Sequence, residues 1–338
     1  MSAVSAQREG PLLSRGFLLE LLEKREAGVA ILLALTITIV ALVNPDFLGL
    51  GNLRDVLVNN AAFAIIACGV TFVIVTGEID ISVGSLAALC AAVLGVLTSP
   101  DRMAMSAAPA VGIVLALGLG VGLINGLLVA YARVPSIIVT LGMLTALRGG
   151  TELLMAGEWL NVVPELRWLA TGNVLGAPTP VLTAMVVILV AIMLATNTPL
   201  GRRIYAVGSN VHAARLAGLS PRRIKLLVFA LTGLLVAVAT LVDATRLKLI
   251  ESGYGTGWEL FIVTAVIVGG TSISGGKGTI VGTILAVFLL SLVRPVLIFL
   301  KLGPEATYWE RAIQGGFILL AVLADHFARR RGRDEGAE

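Results

Sequence analysis

Charged residues are scarce in this 338-residue sequence. Asp, Glu, Lys and Arg make up 14% of it, whereas soluble domains carry about 25%. Hydrophobic residues make up 57%, and the mean hydropathy is +0.96. This composition excludes an ordinary soluble enzyme or binding domain and predicts an all-α polytopic membrane protein in a lipid bilayer. The net charge of +4 does not indicate a nucleic-acid partner, because the basic residues flank apolar segments, where positive charge sets orientation.

Cysteine and histidine are scarce as well. Cys68 and Cys90 lie within apolar runs, and His212 and His326 have no Cys, Asp or second His at metal-ligand spacing. These positions provide neither a disulfide framework nor a metal site. The sequence also has no serine–histidine or paired-carboxylate arrangement typical of a hydrolase. We therefore expect a protein that is not an enzyme, with no catalytic residues, no metal and no cofactor in this chain.

Ten apolar segments approach the roughly 20 residues that a membrane-spanning helix needs. They cover residues 27–43, 56–76, 82–98, 106–131, 134–149, 179–196, 224–242, 258–272, 279–299 and 309–326. The fifth and eighth are short and could be re-entrant or broken helices, so eight or nine spans remain an alternative. We predict one transmembrane domain over residues 27–327, between an N-terminal segment of residues 1–26 and a basic tail of residues 328–338.

The basic residues predict how this domain is oriented. With the N-terminus inside, 16 of the 25 Lys and Arg residues fall on the cytoplasmic side, in agreement with the positive-inside rule. Both termini are then cytoplasmic, and the long loop of residues 150–178 lies outside.

The connection between the sixth and seventh segments, residues 201–225, is strongly basic. It holds six Lys or Arg residues and no Asp or Glu. Residues 211–219 favour a short helix, with small residues at Ala213 and Ala214 and a stop at Gly218. A short basic helix with small residues, placed between two membrane spans, suits docking onto another protein.

Two carboxylates, Glu78 and Asp80, lie in the short connection between the second and third segments. Charges at membrane depth need a partner, water or a cavity, so this connection could line a polar pathway. Alternatively, Asp80 or Ser82 caps the next helix, and the two roles are compatible. We expect Asp80 to have mainly the structural role and Glu78 to face the polar route.

Gly118, Gly122 and Gly126 recur at every fourth residue of the fourth segment. This spacing favours close packing against another helix. Asn125 lies beside them, and its amide needs a partner in the membrane interior. We expect it to form a hydrogen bond to another helix, with pathway lining as the alternative.

Two glycine-containing stretches resemble each other. Val-Ile-Val-Thr-Gly at 73–77 is followed by Ile-Ser-Val-Gly, and Val-Ile-Val-Gly-Gly at 266–270 is followed by Ile-Ser-Gly-Gly. A parallel repeat and chance similarity are both compatible with this pattern. The second stretch continues into Gly-Gly-Lys-Gly, but Thr271 stands where a phosphate-binding loop has its first glycine and Gly278 follows the lysine. The sequence therefore indicates no ATP site of its own.

Four blocks, in order, resemble the ribose-type sugar ABC permease family. They are Gly-Glu-Ile-Asp-Ile-Ser-Val-Gly-Ser at 77–85, Val-Pro-Ser-Ile-Ile-Val-Thr-Leu-Gly-Met at 134–143, the segment 208–218, and the glycine-rich turn at 269–279. The resemblance covers roughly residues 27–327. Gly-Glu-Trp at 157–159 is further reminiscent of permeases for rhamnose and for autoinducer-2.

This resemblance implies a multi-pass permease subunit of an ATP-driven importer for a sugar or sugar-like solute, in a bacterial inner membrane. It implies that ATP is bound by a separate cytoplasmic ABC ATPase and that a periplasmic sugar-binding protein delivers the solute. It also implies a second permease, as a homodimer or a heterodimer. The alternative is a stand-alone secondary transporter or channel that uses Glu78 and Asp80 for ion or proton coupling, but such a protein has no need of a basic docking helix.

The resemblance also assigns candidate site residues. For the translocation pathway and its signature turn they are Thr76, Glu78, Asp80, Ser82, Asn125 and Thr140. For coupling to the ATPase they are Gly208, Asn210, Ala213, Ala214, Arg215 and Gly218. Two departures stand out: His212 replaces the Glu with which coupling helices often begin, and Glu78 stands where a small residue is common.

Overall fold

The computed structural model describes residues 25–299 except residue 163, and additionally residues 309, 312, 313, 315–317 and 319. The N-terminal segment up to residue 24, most of the tenth predicted span and the basic tail lie outside the described residues. Within the described part, the α-helices up to residue 299 are α1 (Arg25–Val43), α2 (Leu50–Val75), α3 (Val83–Thr98), α4 (Ala107–Ala130), α5 (Ser136–Met155), α6 (Trp168–Thr171), α7 (Thr179–Asn197), α8 (Pro199–Ser209), α9 (Val211–Leu216), α10 (Pro221–Ala244), α11 (Trp258–Val268), α12 (Ile280–Ser291) and α13 (Val293–Phe299).

Four strands of two residues each form two small antiparallel ribbons. Strand β1 (Leu160–Asn161) pairs with β4 (Leu249–Ile250), and β2 (Asn173–Val174) pairs with β3 (Ala177–Pro178). The first ribbon joins the loop after α5 to the loop after α10, so it ties together two connections that are distant in sequence. Short 3₁₀ helices lie at Pro45–Leu48 and Pro164–Arg167.

Seven helices in the described part are long and apolar enough to cross a membrane: Glu26–Val43, Leu50–Val75, Ala107–Ala130, Ser136–Met155, Thr179–Asn197, Pro221–Ala244 and Ile280–Phe299. Two shorter apolar helices, Val83–Thr98 and Trp258–Val268, accompany them. The fold is thus mostly helical, as predicted for a polytopic membrane protein. The count of ten spans and the cytoplasmic termini stay predictions.

The fifth span differs from its prediction. The sequence suggested a short or broken helix over residues 134–149, but α5 continues to Met155 and has 20 residues. It passes through Gly149 and Gly150 without a break and ends where Ala156 adopts a left-handed conformation, with φ of 52°. Glycine lowers helix stability by about 1 kcal/mol but does not remove a backbone hydrogen bond, so the helix can continue.

The two short helices begin beside one another. A Cβ atom built on Gly84 in α3 would lie 2.5 Å from the carbonyl oxygen of Gly255 and 2.1 Å from Glu259 Oε2. Helix α3 has 16 residues and α11 has 11, which correspond to about 24 Å and 17 Å at 1.5 Å per residue. Both are shorter than the roughly 30 Å hydrocarbon core.

The glycines of α4 let it pack closely against α10. A Cβ atom would lie 2.5 Å from the Gly233 oxygen if built on Gly118, and 2.4 Å from the Phe229 oxygen if built on Gly122. Gly126 is also close to α10, and a Cβ atom built on it would lie 2.9 Å from the Cα of Leu226. The predicted packing role of these three glycines is confirmed, because any larger side chain would force the two helices apart.

Helix α2 is the centre of the fold. Its buried side chains include Ile65, Ile66 and Val70, and α7, α10, α11 and α12 pack around it. Since several helices pack around α2, candidate residues from different segments can lie close together at its end, Val75.

Candidate functional site

Helices α2 and α11 end with the same pattern of backbone hydrogen bonds. After α2, the Gly77 N–H donates to the Ile74 carbonyl and the Glu78 N–H to the Val73 carbonyl, at 2.9 and 3.2 Å. After α11, Gly270 donates to Ile267 and Thr271 to Val266, at 3.0 and 3.2 Å. This is the Schellman motif, and it places each glycine at positive φ, 80° for Gly77 and 96° for Gly270. The similarity of residues 73–77 and 266–270 therefore has a local structural counterpart.

The connection between α2 and α3, residues 76–82, is named the α2–α3 turn. Asp80 is buried in it, and its Oδ1 accepts hydrogen bonds from the Ser82 N–H at 2.9 Å and the Ser82 hydroxyl at 2.6 Å. Ser82 occupies the N-cap position of α3, but among the described residues its side chain makes no capping bond to the helix. Asp80 instead orders the residue at which α3 begins, which favours the structural role expected for it.

Asn125 joins this turn to α4. Its Nδ2 donates to Ser82 Oγ at 3.0 Å, across 43 residues of sequence. The side chain is buried, with 1% exposed, and its Oδ1 has no hydrogen-bond partner among the described residues. The expected hydrogen bond between Asn125 and another segment is therefore present.

Glu78 has a charged partner that the sequence did not reveal. Its Oε1 forms an ion pair with Lys225 Nζ, near the start of α10. The Lys225 and Glu78 side chains are 19% and 14% exposed. We expected Glu78 to face a polar route, but the structure directs its carboxylate to a lysine 147 residues later. No local pattern in the sequence relates two positions so far apart.

The hydroxyl groups of Thr76 and Thr140 are satisfied by the backbone. Thr76 Oγ1 donates to the Val73 carbonyl at 2.8 Å, and Thr140 Oγ1 donates to the Ser136 carbonyl at 2.9 Å. Ser136 is an additional contact of the α2–α3 turn, since its Oγ accepts the Ile79 N–H at 3.1 Å. Both threonines are buried, and Thr140 Oγ1 also approaches the Ile79 carbonyl oxygen at 3.4 Å, so Thr140 contacts the turn from α5.

Helices α8 and α9 occupy the predicted coupling segment. Asn210 is the N-cap of α9, and its Oδ1 accepts the N–H groups of His212 and Ala213 at 3.0 and 2.9 Å. The helix ends at Leu216, earlier than the predicted residue 219, and Gly218 follows at φ of 78°. Asn210 and Gly218 therefore define the two ends of α9.

The faces of α9 differ from the prediction. Ala213 and Arg215 are exposed, as a docking surface requires. Ala214 is only 4% exposed and belongs to the hydrophobic core of its own chain, so it cannot contact a partner. Leu216 was not predicted, yet it is 79% exposed. A helix of six residues turns its small residues in different directions, and the sequence alone did not show which one faces inward.

Gly208 also has a different role from the predicted one. A Cβ atom built on it would lie 1.8 Å from the Val75 oxygen and 2.7 Å from the Gly276 nitrogen. The Gly276 N–H itself donates to the Val75 carbonyl at 2.8 Å. We name Gly208, Gly275 and Gly276, grouped around Val75, the glycine junction. Gly208 thus allows α8 to contact the end of α2 and does not face a docking partner.

A second polar cluster fixes the loop between α10 and α11. Arg148 of α5 donates from Nη1 to the carbonyls of Ser252 and Tyr254, at 2.9 and 2.8 Å. The Tyr254 hydroxyl donates to Asp243 Oδ2 at 2.9 Å. Burial, and then the neighbouring Asp243 carboxylate, raises the pKa of the Tyr254 phenol, so the hydroxyl keeps the proton that it donates.

Among the described residues, no three His, Cys, Asp or Glu side chains lie together as metal ligands would. The arrangement as a whole is a buried, hydrogen-bonded turn joined to an exposed helix. It can position helices relative to one another and present a surface to a partner.

Comparison with known proteins gives consistent matches along the chain. A family model described as "Branched-chain amino acid transport system / permease component" matches residues 52–322. The ribose import permease protein RbsC of Escherichia coli (strain K12) is 38% identical over 301 residues, which cover 88% of this chain and 92% of that protein. RbsC of Haemophilus influenzae is 36% identical, with 88% and 92% covered.

A relative named for another solute is also similar. The autoinducer 2 import system permease protein LsrC of Yersinia pseudotuberculosis is 34% identical over 310 residues, with 90% of this chain and 86% of that protein covered. No solved structure matches the chain.

Proposed function

Since this chain belongs to the family of permease components described for branched-chain amino acid transport systems, we propose that it is the membrane-spanning subunit of an ABC importer for a sugar or sugar-like solute. The observation that carries this proposal is the similarity to a ribose import permease over 88% of this chain and 92% of that relative. The described spans support a multi-pass protein of the inner membrane.

The proposed ATPase partner docks on α9. This helix presents Leu216, 79% exposed, beside the exposed Ala213 and Arg215. Burying a leucine side chain contributes roughly 1.5–3 kcal/mol, and small neighbours let a partner approach the backbone. The complementary surface on the ATPase is an apolar groove with a carboxylate near Arg215.

The proposed orientation places α9 in the cytoplasm and residues 150–178 outside. On that outer loop, Trp159 and Trp168 are 64% and 56% exposed. Exposed tryptophans are common at protein interfaces, so this loop is the surface that we assign to the solute-binding protein. A second permease completes the transporter, and the solute passes between the two.

The secondary-transporter alternative receives less support from the geometry. That function depends on carboxylates available to bind ions or protons. Glu78 is paired with Lys225, and Asp80 Oδ1 accepts two hydrogen bonds from Ser82. Both carboxylates therefore have partners in this conformation.

Energised uptake tests the proposal. Cells that produce this chain with the ATPase and binding protein of its own transport system are supplied with radiolabelled ribose, rhamnose or autoinducer-2. We expect uptake of one of these solutes to stop on ATP depletion and to persist when ionophores collapse the proton and sodium gradients. Uptake that follows the gradients and ignores ATP would establish a secondary transporter instead.

A further inference from the structure

The end of α2 is held from both sides by the segments that flank α9. On the N-terminal side, α8 brings Gly208 against the Val75 carbonyl. On the C-terminal side, α10 brings Lys225 to Glu78. Helix α9 thus lies between two contacts that converge on four consecutive residues, 75–78.

The two contacts differ in kind. At the glycine junction, backbone meets backbone without an intervening side chain, and the Tyr205 hydroxyl strengthens the contact by donating to the Gly278 carbonyl at 2.8 Å. Such a contact is short and rigid. The Lys225–Glu78 contact is an ion pair on two flexible side chains, with exposed fractions of 19% and 14%. Partial burial makes loss of either partner unfavourable, because the other charge is left without compensation.

The α2–α3 turn leads from this ion pair to the starts of two helices. The Ile79 N–H donates to the Oγ of Ser136, and Ser136 is the first residue of α5. Asp80 binds Ser82 at the start of α3, and Asn125 of α4 binds Ser82 in turn. Consecutive hydrogen-bonded residues therefore connect the turn that holds Glu78 to α3, α4 and α5.

We infer that Glu78 and Lys225 are positioning residues that link movement of α9 and α10 to the α2–α3 turn. This inference rests on the proposed function and extends it. The ion pair makes the turn follow α10 when the ATPase moves α9. Without the pair, α9 still docks and ATP is still hydrolysed, but the turn no longer follows α10 and less of the movement reaches the helices around the turn.

A charge-exchange experiment tests this link. Glu78→Gln, Lys225→Met and the double variant Glu78→Lys with Lys225→Glu are prepared as complexes with the ATPase and binding protein in proteoliposomes. The measured quantity is the number of solute molecules transported for each ATP hydrolysed. We expect each single variant to lower this ratio at least about threefold, at the lower end of the coupling between contacting side chains. The double variant should recover at least about half of the loss.

Arg133→Gln is the control, since Arg133 is an exposed basic residue in the connection between α4 and α5, outside the coupling segment. It should leave the ratio unchanged. Unchanged ratios in both single variants would overturn the inference, as would a double variant no better than the singles although it assembles with the ATPase. A parent complex without ATP-dependent uptake would overturn the proposed function, and the inference with it.

Discussion

Gly208 lies so close to Val75 that a Cβ atom on the glycine would be 1.8 Å from the valine carbonyl oxygen. The contact joins two helices that are separated by more than a hundred residues, and it places the segment before α9 directly on the central helix. A position predicted to bind a partner is therefore a packing position within the chain.

Gly208→Ala should destabilise the protein. The added methyl group cannot fit beside the Val75 carbonyl, and overpacking of this kind costs about 1–3 kcal/mol. Thermal unfolding in detergent measures the effect. Gly142→Ala in α5 is the matched control, because a Cβ atom there meets nothing within 4 Å. If both variants melt like the parent, the glycine junction is not a close contact.

Asp80→Ala should also lower the melting temperature. It leaves the buried Ser82 N–H without its acceptor, a loss of about 1–3 kcal/mol. Asp80→Asn is the informative control, because an amide oxygen can accept the same N–H and hydroxyl. We expect it to retain most of the stability. Equal loss in both variants would show that the charge of Asp80, not its hydrogen bonds with Ser82, fixes the turn.

Leu216→Asp should weaken binding of the ATPase by more than about tenfold, as expected for a central interface residue. Co-purification and titration with the isolated ATPase measure it. The control is Leu175→Asp, at a fully exposed leucine in the turn between β2 and β3. Ala214→Glu is unsuitable as a test, since Ala214 is buried in its own chain and the substitution would disturb folding. If Leu216→Asp binds the ATPase as tightly as the parent does, α9 is not part of the docking surface.

Cysteine labelling should determine the orientation of the chain. Leu175→Cys should react with a membrane-impermeant maleimide added to spheroplasts, whereas Ala213→Cys should react only after permeabilisation. The native Cys68 and Cys90 are buried and can remain. Position 172 is a poor choice for the outer label, because a Cβ atom on Gly172 would lie 2.5 Å from the Trp168 carbonyl oxygen. The reverse labelling pattern would invert the predicted topology.

The sequence by itself determined the features that depend on local composition. Apolar length marks the membrane segments, and glycine spacing marks the face of α4 that packs on α10, because each property belongs to a single stretch of chain. The basic connection and the stop of its helix at Gly218 are local in the same sense, whereas the N-cap role of Asn210 was not predicted.

The tertiary structure decided which residues meet. Lys225 and Glu78 are 147 positions apart, and Ala214 and Ala213 look alike in sequence, although one is buried and the other exposed. Gly208 and Gly276 lie beside the backbone of Val75 only because α2, α8 and the glycine-rich turn converge there. Such contacts depend on how the helices pack. A local sequence pattern does not identify the residue that a side chain contacts in a distant part of the chain.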